Sequence, residues 1–398
     1  MVEVQWSGVL RTWRFSRSKA VLSLLLGTLL AVSGCAESAR DASGTDDGIT
    51  LRYADFTAPS SGVHFTEFTD QVSERTNGDV SFRSFWSGSL LKGEEIGFGI
   101  RGGIADMGTL PASYNPSEYP LANWIAGLAS TVPDEGWPNN SMIAWAANAD
   151  YVLNEGSMSR AFEDDGLKLL IPRFPMHEIN VICRTPVTDL GEAAGKRIRT
   201  TGPSWDSEVR ELGMVPVSMP VSEVYEALQR GVIDCAAASP KIVTAFGLWE
   251  VAKHYTSLQL SGQNTEFVVM NLKTWNNLSE EQQRAILDAR VAWMSSQMQG
   301  ESIDLAVKLR EEGPRDHGLE FHEPSPEMAG RLSQFQRQVI DDLPATAPDR
   351  VEDPDAYISG YRKSMTEWQG RLHELGYEEG ESSDLTAFDD ALAERLSN

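Results

Sequence analysis

Basic residues, cysteines and long apolar runs are all scarce in this chain of 398 residues. Its 34 Lys and Arg against 58 Asp and Glu give a formal net charge of -24. This argues against nucleic acid as the main partner, because a phosphate backbone needs a basic face. Three Cys are too few for a small disulfide-stapled scaffold, and no apolar pattern suits a polytopic membrane protein. The composition, 41% apolar and 23% charged, is typical of a soluble globular protein large enough for two lobes.

Residues 1–34 have the pattern of a secretory signal peptide. A basic region precedes a 13-residue apolar run ending at Val32, too short to cross a hydrocarbon core of about 30 Å as a helix. The sequence Val-Ser-Gly before Cys35 resembles a bacterial lipobox, which implies a lipid on Cys35. An ordinary signal with an incidental Cys is the alternative, and the long basic region leaves the true start codon open. Residues 35–48, rich in Ser, Asp, Gly and Ala, predict a flexible tether.

Cys183 and Cys235 are the remaining cysteines, and both lie in apolar, strand-like stretches. A secreted chain enters a compartment that permits a disulfide. A buried free thiol is equally ordinary in such a stretch. The sequence therefore leaves the pairing of these two residues open.

Strand-like and helix-like segments alternate along the body of the chain. Ile49–Ala54 is predicted as a strand, His64–Thr76 as an amphipathic helix, and Ser279 as the N-cap of a helix over Glu280–Met298. Further strands are predicted at Val80–Phe85, Ile104–Gly108, Leu167–Ile171, Ile179–Cys183, Arg197–Thr200, Gly231–Ala238 and Phe267–Asn271. This alternation predicts an α/β fold with largely parallel sheets. Residues 376–398 are predicted to form a frayed acidic tail.

Sequence motifs for catalysis and cofactor binding are missing. There is no G-x-S-x-G elbow, no H-E-x-x-H helix and no cysteine pair at zinc spacing. Gly191–Arg197 is one residue short of a phosphate loop and lacks the hydroxyl residue after its Lys. The six His are scattered, and only His317 and His322 lie close enough to suggest a shared ligand, across a turn. We therefore expect no enzymatic activity and no cofactor, and we assign no metal ligand.

Six stretches, in order along the chain, together resemble the solute receptors of tripartite ATP-independent periplasmic (TRAP) transporters, the dicarboxylate-receptor (DctP-like) family. They are Phe68–Leu90, Ile100–Gly108, Gly195–Arg199, Val221–Asp234, Trp249–Tyr255 and Phe267–Gln282. The second contains Gly-Ile-Ala-Asp-Met-Gly, which is similar to the family's G-x-x-D-M-G strand. The resemblance extends from about residue 49 to 289, and more loosely to about 375.

The resemblance implies a two-lobed, periplasmic-binding-protein-like (type II) α/β fold, with mixed sheets flanked by helices. The discontinuous lobes would be joined by hinge strands and a long helix, with lobe 1 over 49–173 and 264–305, and lobe 2 over 174–263 and 306–375. The implied function is that of an extracytoplasmic receptor, in the periplasm or on the cell surface. Such a receptor would capture a small organic acid between the lobes and deliver it to TRAP permease subunits in the membrane.

Arg199 is the principal residue of the site that this resemblance implies. The family's strand carries Gly, a basic residue and an Arg that holds the ligand carboxylate, and Gly195, Arg197 and Arg199 keep that spacing. A guanidinium can form two parallel bonds to a carboxylate, which an ammonium group cannot. Val221 stands where relatives often have a wall residue. Ser239 is the candidate hydrogen-bonding residue after a stretch, Ala236–Ala238, that departs from the family's pattern.

Further candidates for the binding site are expected at the cleft edge. Phe56, Trp86 and Tyr114 lie on predicted loops of the first lobe, where aromatic walls suit an apolar ligand body. His177 and Glu178 occupy the region in which many relatives carry a second arginine. Without that arginine, a monocarboxylate is favoured over a dicarboxylate, and Glu178 could pair with a ligand amine.

Three other functions stay open at this point: a receptor for an ATP-driven (ABC-type) importer, a lipid-anchored ligand sensor, and an enzyme. Neighbouring genes for an ion-coupled permease would distinguish the first, and an enzyme would need a nucleophile–base pair that the sequence does not display. The identity of the acid, the oligomeric state and a metal that assists binding are also open.

Overall fold

The computed structural model describes residues 48–133, 135–174, 178–262, 264–377 and 384–396. The expected signal peptide over residues 1–34, the lipidated Cys35, the tether up to residue 47 and the candidate ligand residue His177 lie outside these ranges. Among the helices within these ranges, none combines the length and the apolar character needed to span a membrane.

The described part of the chain is built from strands and helices in alternation. The strands are β1 Ile49–Ala54, β2 Val80–Phe85, β3 Met107–Pro111, β4 Leu167–Arg173, β5 Ile179–Cys183, β6 Arg197–Thr200, β7 Val215–Ser218, β8 Cys235–Ala238, β9 His254–Leu260, β10 Glu266–Asn271 and β11 Glu320–His322. The helices are α1 Gly62–Arg75, α2 Ile96–Arg101, α3 Pro120–Ile125, α4 Asn139–Glu155, α5 Ser157–Asp164, α6 Leu190–Ala193, α7 Pro203–Glu211, α8 Val224–Gln229, α9 Pro240–Ala245, α10 Leu272–Asn277, α11 Glu280–Asp288, α12 Arg290–Gln297, α13 Leu305–Asp316, α14 Pro326–Asp342, α15 Pro354–Glu374 and α16 Thr386–Leu396.

The first sheet, with its covering helices, forms what we call the first lobe. Its strand order is β2-β1-β3-β10-β4, with β1 parallel to β2 and β3, and β10 antiparallel to β3 and β4. Aromatic side chains fill the core between β1 and α1, where the rings of Tyr53 and Phe65 stack at 4.0 Å. Elsewhere in this lobe, α4 packs against α15 and is buried along most of its length.

The second sheet and its helices form the second lobe. The strand order is β11-β9-β5-β8-β6-β7, in which β5 is antiparallel to both β8 and β9, and β6 is parallel to β7 and β8. Cys183 on β5 lies directly opposite Cys235 on β8, and the two form a disulfide. The pairing that the sequence left open is thus a bridge between neighbouring strands.

The chain passes between the two lobes more than once. It leaves the first sheet after Arg173 and returns to it at Glu266. A continuous helical stretch from Arg290 to Asp316, with a π-helical middle turn, begins in the first core and ends in the second, to which Leu309 belongs. The implied two-lobed architecture with mixed sheets and a long connecting helix is confirmed, and the largely parallel sheets that alternation alone predicted are not found.

Two expectations for the C-terminal region are wrong. Helix α15, assigned to lobe 2, packs instead in the first core, where Tyr361 and Trp368 are buried. Part of the predicted acidic tail is the helix α16, whose Phe388 and Leu392 are buried in that same core. The apolar side chains of these amphipathic helices outweigh the acidic character of the segment, because burying them removes apolar surface from water.

Candidate functional site

Arg199 lies near the end of β6 and is buried, with 1% of its surface exposed. Its Nε donates a hydrogen bond to the carbonyl of Met219 at 3.1 Å. Its Nη1 is buried and has no hydrogen-bond partner among the described residues. Burial lowers the pKa of this guanidinium, because removal from water disfavours the charged form. No carboxylate of the described chain forms an ion pair with it, so Arg199 is a cation that lacks an anionic partner there.

Residues from both lobes meet in front of Arg199. Tyr114 accepts a hydrogen bond from the backbone N–H of Val221 at 3.2 Å, which joins the two lobes across the cleft. The rings of Phe56 and Tyr114 lie 5.6 Å apart, and Phe56 packs against both hydrophobic cores. Burial raises the pKa of Tyr114, although the charge of Arg199 acts in the opposite direction. The Tyr114 hydroxyl therefore keeps its proton at neutral pH and can still donate it in a hydrogen bond.

A narrow cavity separates these groups. Its lining residues are Phe56, Thr57, Tyr114 and Glu266 from the first lobe, and Arg199, Thr201, Val221, Lys241, Ile242 and Phe246 from the second. The free volume is about 20 Å³, which is enough for a water molecule but too small for an organic solute. An organic solute could therefore enter this cavity only if the lobes separated.

A network of buried charges adjoins the cavity. Lys241 donates to Glu301 Oε2 at 2.6 Å, and Arg173 Nη2 lies 3.5 Å from the same oxygen. Arg173 Nη1 also lies 3.3 Å from Glu266 Oε2, although this oxygen has no hydrogen bond of good geometry. Burial favours the neutral acid of Glu301, but Lys241 and Arg173 outweigh it and lower its pKa. Burial raises the pKa of Glu266, and Arg173 only partly offsets the effect.

This network neutralises the two other cations near Arg199. Arg173 and Lys241 are balanced by Glu266 and Glu301. A nearby acid, Asp55, accepts hydrogen bonds from Tyr53 at 2.5 Å and from the backbone and hydroxyl of Thr57 at 2.8 and 2.7 Å. Among the described cavity-lining residues, Arg199 is thus the cation available to an incoming anion.

A larger depression, of about 800 Å³, lies elsewhere, on the first lobe beside α1, α11 and α16. It is open to solvent, and its rim carries charges of both signs, including Arg75, Glu280 and Asp288. Its lining includes a buried cation, Arg290, whose guanidinium donates hydrogen bonds to the backbone carbonyls of Leu287, Leu170 and Leu396. Arg199 Nη1, by contrast, lacks such a partner in the described part of the chain, so we regard the smaller cavity as the candidate site.

Of the residues that the sequence proposed, Arg199, Phe56, Tyr114 and Val221 come together at this cavity. Three others do not line the described cavity. Ser239 caps α9 by accepting the N–H of Ile242 at 3.3 Å, and Trp86 packs beside Tyr53 in the first core. Glu178 forms hydrogen bonds with Arg310 at 2.8 and 3.0 Å, so its carboxylate already has a cationic partner.

The other residues that line the cavity were not proposed from the sequence: Thr57, Thr201, Lys241, Ile242, Phe246 and Glu266. For two of these residues, the sequence itself contains an indication of a special role. Glu266 is a charged residue at the start of the apolar run that forms β10, and Lys241 follows the Ser-Pro helix start of α9. A charge where burial is expected needs a partner or a function, and these positions could have been selected on that ground.

Two discontinuous lobes around a cavity with a buried arginine are typical of the two-lobed ligand receptors found outside the cytoplasm. The sequence profile of the DctP family, bacterial extracellular solute-binding proteins of family 7, matches residues 57–345. The chain belongs to this family of extracytoplasmic solute receptors, and the resemblance to TRAP receptors is confirmed. The family is one of solute-binding receptors rather than enzymes.

Several curated relatives align with parts of the chain. A solute-binding protein of Albidiferax ferrireducens is 28% identical over 191 residues, which make up 48% of this chain and 53% of the relative. The 2,3-diketo-L-gulonate-binding periplasmic protein of Escherichia coli is 26% identical over 246 residues, 60% of this chain and 71% of that protein. The alignment thus spans about half of the first relative.

Solved structures share the fold at low sequence identity. A marine metagenome TRAP solute-binding protein in complex with co-purified pyroglutamate has a TM-score of 0.67 and 20% identity, covering 80% of this chain and 99% of that one. The periplasmic ectoine-binding protein of the TRAP transporter of Halomonas elongata has a TM-score of 0.68 and 19% identity, covering 80% and 100%. These similarities show the two-lobed fold.

Proposed function

We propose that this receptor captures a small organic acid between its lobes and delivers it to the membrane subunits of a TRAP-type permease. The observation that carries the proposal is the guanidinium of Arg199, which is buried in the interlobe cavity with Nη1 unpartnered. A buried cation without an anion is costly, and a ligand carboxylate would compensate it. Several solved structures with the same fold are complexes with an organic acid, namely pyroglutamate, 3-hydroxybenzoate or galacturonate.

The charge balance of the cavity favours one carboxylate rather than two. Arg173 and Lys241 already have carboxylate partners in Glu266 and Glu301, so a second ligand carboxylate would meet no free cation among the described lining residues. Glu266 Oε2, which lacks a well-aligned hydrogen bond, would favour a hydroxyl or N–H donor on the other end of the solute. The proposed ligand is therefore a monocarboxylate with a hydrogen-bond donor.

The proposed capture couples ligand binding to lobe closure. The carboxylate docks on Arg199 in the open receptor, and Tyr114 and Phe56 then reach the ligand from the first lobe. Because these contacts exist only in the closed form, the ligand binds that form more tightly than the open one. The ligand therefore stabilises the closed form by the difference between the two binding free energies. The Tyr114–Val221 hydrogen bond supports this role, because it already joins the lobes beside Arg199.

A thermal-shift screen of purified protein tests this function. Each monocarboxylate with an amine or hydroxyl group is paired with an analogue that lacks the donor and with a dicarboxylate of similar length. A ligand at about 100 times its dissociation constant adds about 2.7 kcal/mol to the unfolding free energy, so a hit is clear. Selective stabilisation by donor-bearing monocarboxylates supports the proposal. A screen in which only dicarboxylates or only uncharged solutes stabilise the protein contradicts it.

The two rival receptor functions differ in partner rather than in ligand. A receptor for an ATP-driven importer would share its genetic neighbourhood with an ATPase, and a sensor would share it with a membrane kinase. An enzyme would turn over its ligand, so incubation of the identified solute with the protein followed by mass spectrometry distinguishes binding from catalysis. We expect the solute to be recovered unchanged.

We also propose that a lipid on Cys35 anchors the receptor to the membrane. The support is the lipobox-like Val-Ser-Gly-Cys at the end of a short apolar run. Expression with a labelled fatty acid should label the wild-type chain and not Cys35→Ser, and only the wild-type chain should enter a detergent phase. Equal labelling of the two chains, or no labelling of either, would contradict lipidation at Cys35. The alternative would then be a signal peptide that is cleaved without attachment of a lipid.

A further inference from the structure

Two histidines and a glutamate meet at the edge of the second sheet, far along the strand order from Arg199. His254 is the first residue of β9, and Glu320 and His322 are the ends of the three-residue strand β11. The two strands are parallel, with Glu320 opposite His254 in the register. Residues two apart on a strand face the same side of the sheet, so the side chains of Glu320 and His322 lie on one face of β11.

The potential ligand atoms form a compact triangle. His254 Nδ1 lies 3.1 Å from His322 Nε2 and 3.5 Å from Glu320 Oε2, and the remaining side, between His322 Nε2 and Glu320 Oε2, is 3.9 Å. The circle through these three atoms has a radius of about 2.0–2.1 Å, which matches Zn–N and Zn–O bond lengths of about 2.0–2.2 Å. An ion near the centre would thus contact all three ligand atoms at bonding distance without rearrangement of the backbone.

We propose that His254, Glu320 and His322 form a site for a divalent cation of the zinc type. A hydrogen bond between the two rings would account for the 3.1 Å distance alone. The carboxylate oxygen, placed within 4 Å of both nitrogens, adds the third ligand that a chelate needs. Imidazole and carboxylate together suit zinc and its late-transition-metal neighbours, whereas magnesium and calcium prefer sites made of oxygen ligands alone.

The surroundings favour a cation as well. The chain has a formal net charge of -24, and such an excess of acidic residues raises the local concentration of cations. The two His are largely buried, with side-chain exposures of 17% and 21%, while Glu320 is 64% exposed. Solvent can therefore supply a fourth ligand on the glutamate side. The ion would fasten the short edge strand β11, and with it the connection from α13 to α14, to β9.

The chain offers a contrast within its own histidines. His317, which the sequence grouped with His322, stacks on Trp249 at 3.9 Å and lies 2.6 Å from Glu250. The partner of His322 comes instead from residue 254, which is distant in sequence and became a neighbour only through strand pairing. Residue spacing alone therefore could not connect His322 with His254.

Calorimetric titration of zinc into the purified receptor tests the proposal. The disulfide is kept oxidised, because Cys183 lies opposite His254 in the register and a reduced thiol would bind zinc itself. We expect one zinc per chain, a higher unfolding temperature with zinc, no competition from magnesium, and a cobalt derivative with tetrahedral absorption. His322→Ala and Glu320→Gln should each weaken binding by about tenfold or more.

The matched control is His373→Ala, because His373 is exposed and pairs with Glu135 elsewhere on the molecule. It should bind zinc as the wild-type chain does. Glu320 is also exposed, so Glu320→Gln is expected to fold even if a histidine variant does not. Absence of zinc binding at about 100 µM, or equal binding by wild type and both site variants, would overturn the proposal. Neither result bears on the solute site at Arg199.

Discussion

Replacement of Arg199 by alanine is expected to weaken binding of the identified carboxylate by about thirtyfold to several thousandfold. Removal of one partner from a buried charge pair typically costs about 2–5 kcal/mol, and each 1.4 kcal/mol is a factor of ten. The same change should leave the unfolding free energy of the empty receptor unchanged or higher, because it removes a buried cation that lacks a carboxylate partner. Calorimetry and chemical denaturation of the same variant measure the two effects.

Arg197→Ala is the matched control for this experiment. Arg197 is on the same strand, two residues away, but its side chain is exposed and pairs with Asp234 at 2.9 Å. We expect an affinity change of less than about twofold, since exposed ion pairs contribute little. Arg199→Lys should be intermediate, because it keeps the charge and loses the planar fork. Wild-type affinity in Arg199→Ala would show that the carboxylate docks elsewhere.

Replacement of Glu301 by alanine is expected to lower the unfolding free energy by about 3–5 kcal/mol. Glu301 Oε2 accepts hydrogen bonds from Lys241 at 2.6 Å and from Gln297 at 2.9 Å, and Arg173 lies 3.5 Å away. All of these groups are buried, so the change leaves Lys241 without its partner and Arg173 with Glu266 alone. Urea denaturation followed by tryptophan fluorescence measures the loss.

Glu226→Ala provides the comparison for an exposed pair. Glu226 on α8 pairs at 2.9 Å with Arg230, the residue directly after that helix, and both side chains are mostly in solvent. Its loss should change the unfolding free energy by no more than about 1 kcal/mol. If Glu301→Ala were no more destabilising than Glu226→Ala, the buried network would not be a source of stability. Glu301→Gln, which keeps a hydrogen-bond acceptor, should fall between the two.

The sequence was informative where local pattern and spacing determine position. The strand that carries Arg199 and the N-cap at Ser279 were predicted from local pattern. The resemblance to the receptor family, rather than local pattern, assigned Tyr114 and Val221 to the cleft, and both line the cavity. The helix α4 was missed. It is buried on nearly every side, so it lacks the amphipathic period that identifies a surface helix.

Other features depend on contacts between distant parts of the chain. An amphipathic pattern predicts that α15 packs against something, but not which lobe receives it. The pairing of Lys241 with Glu301 joins residues 60 positions apart, and no local signal connects them. The resemblance to the receptor family assigned Trp86 and Glu178 to the cleft. In the fold, Trp86 packs beside Tyr53 and Glu178 forms an ion pair with Arg310.

The bond between Cys183 and Cys235 closes a covalent ring that contains both Arg199 and Val221. A ring with a sequence separation of 52 lowers the entropy of the unfolded chain enough to stabilise the folded form by about 4 kcal/mol in the chain-entropy view. Denaturation with and without a reductant measures this contribution directly. Before export, in a reducing compartment, the second lobe, in which we place the anion site, would lack this stabilisation. It would reach its full stability only once oxidised, in the compartment outside the cytoplasm where this family of receptors acts.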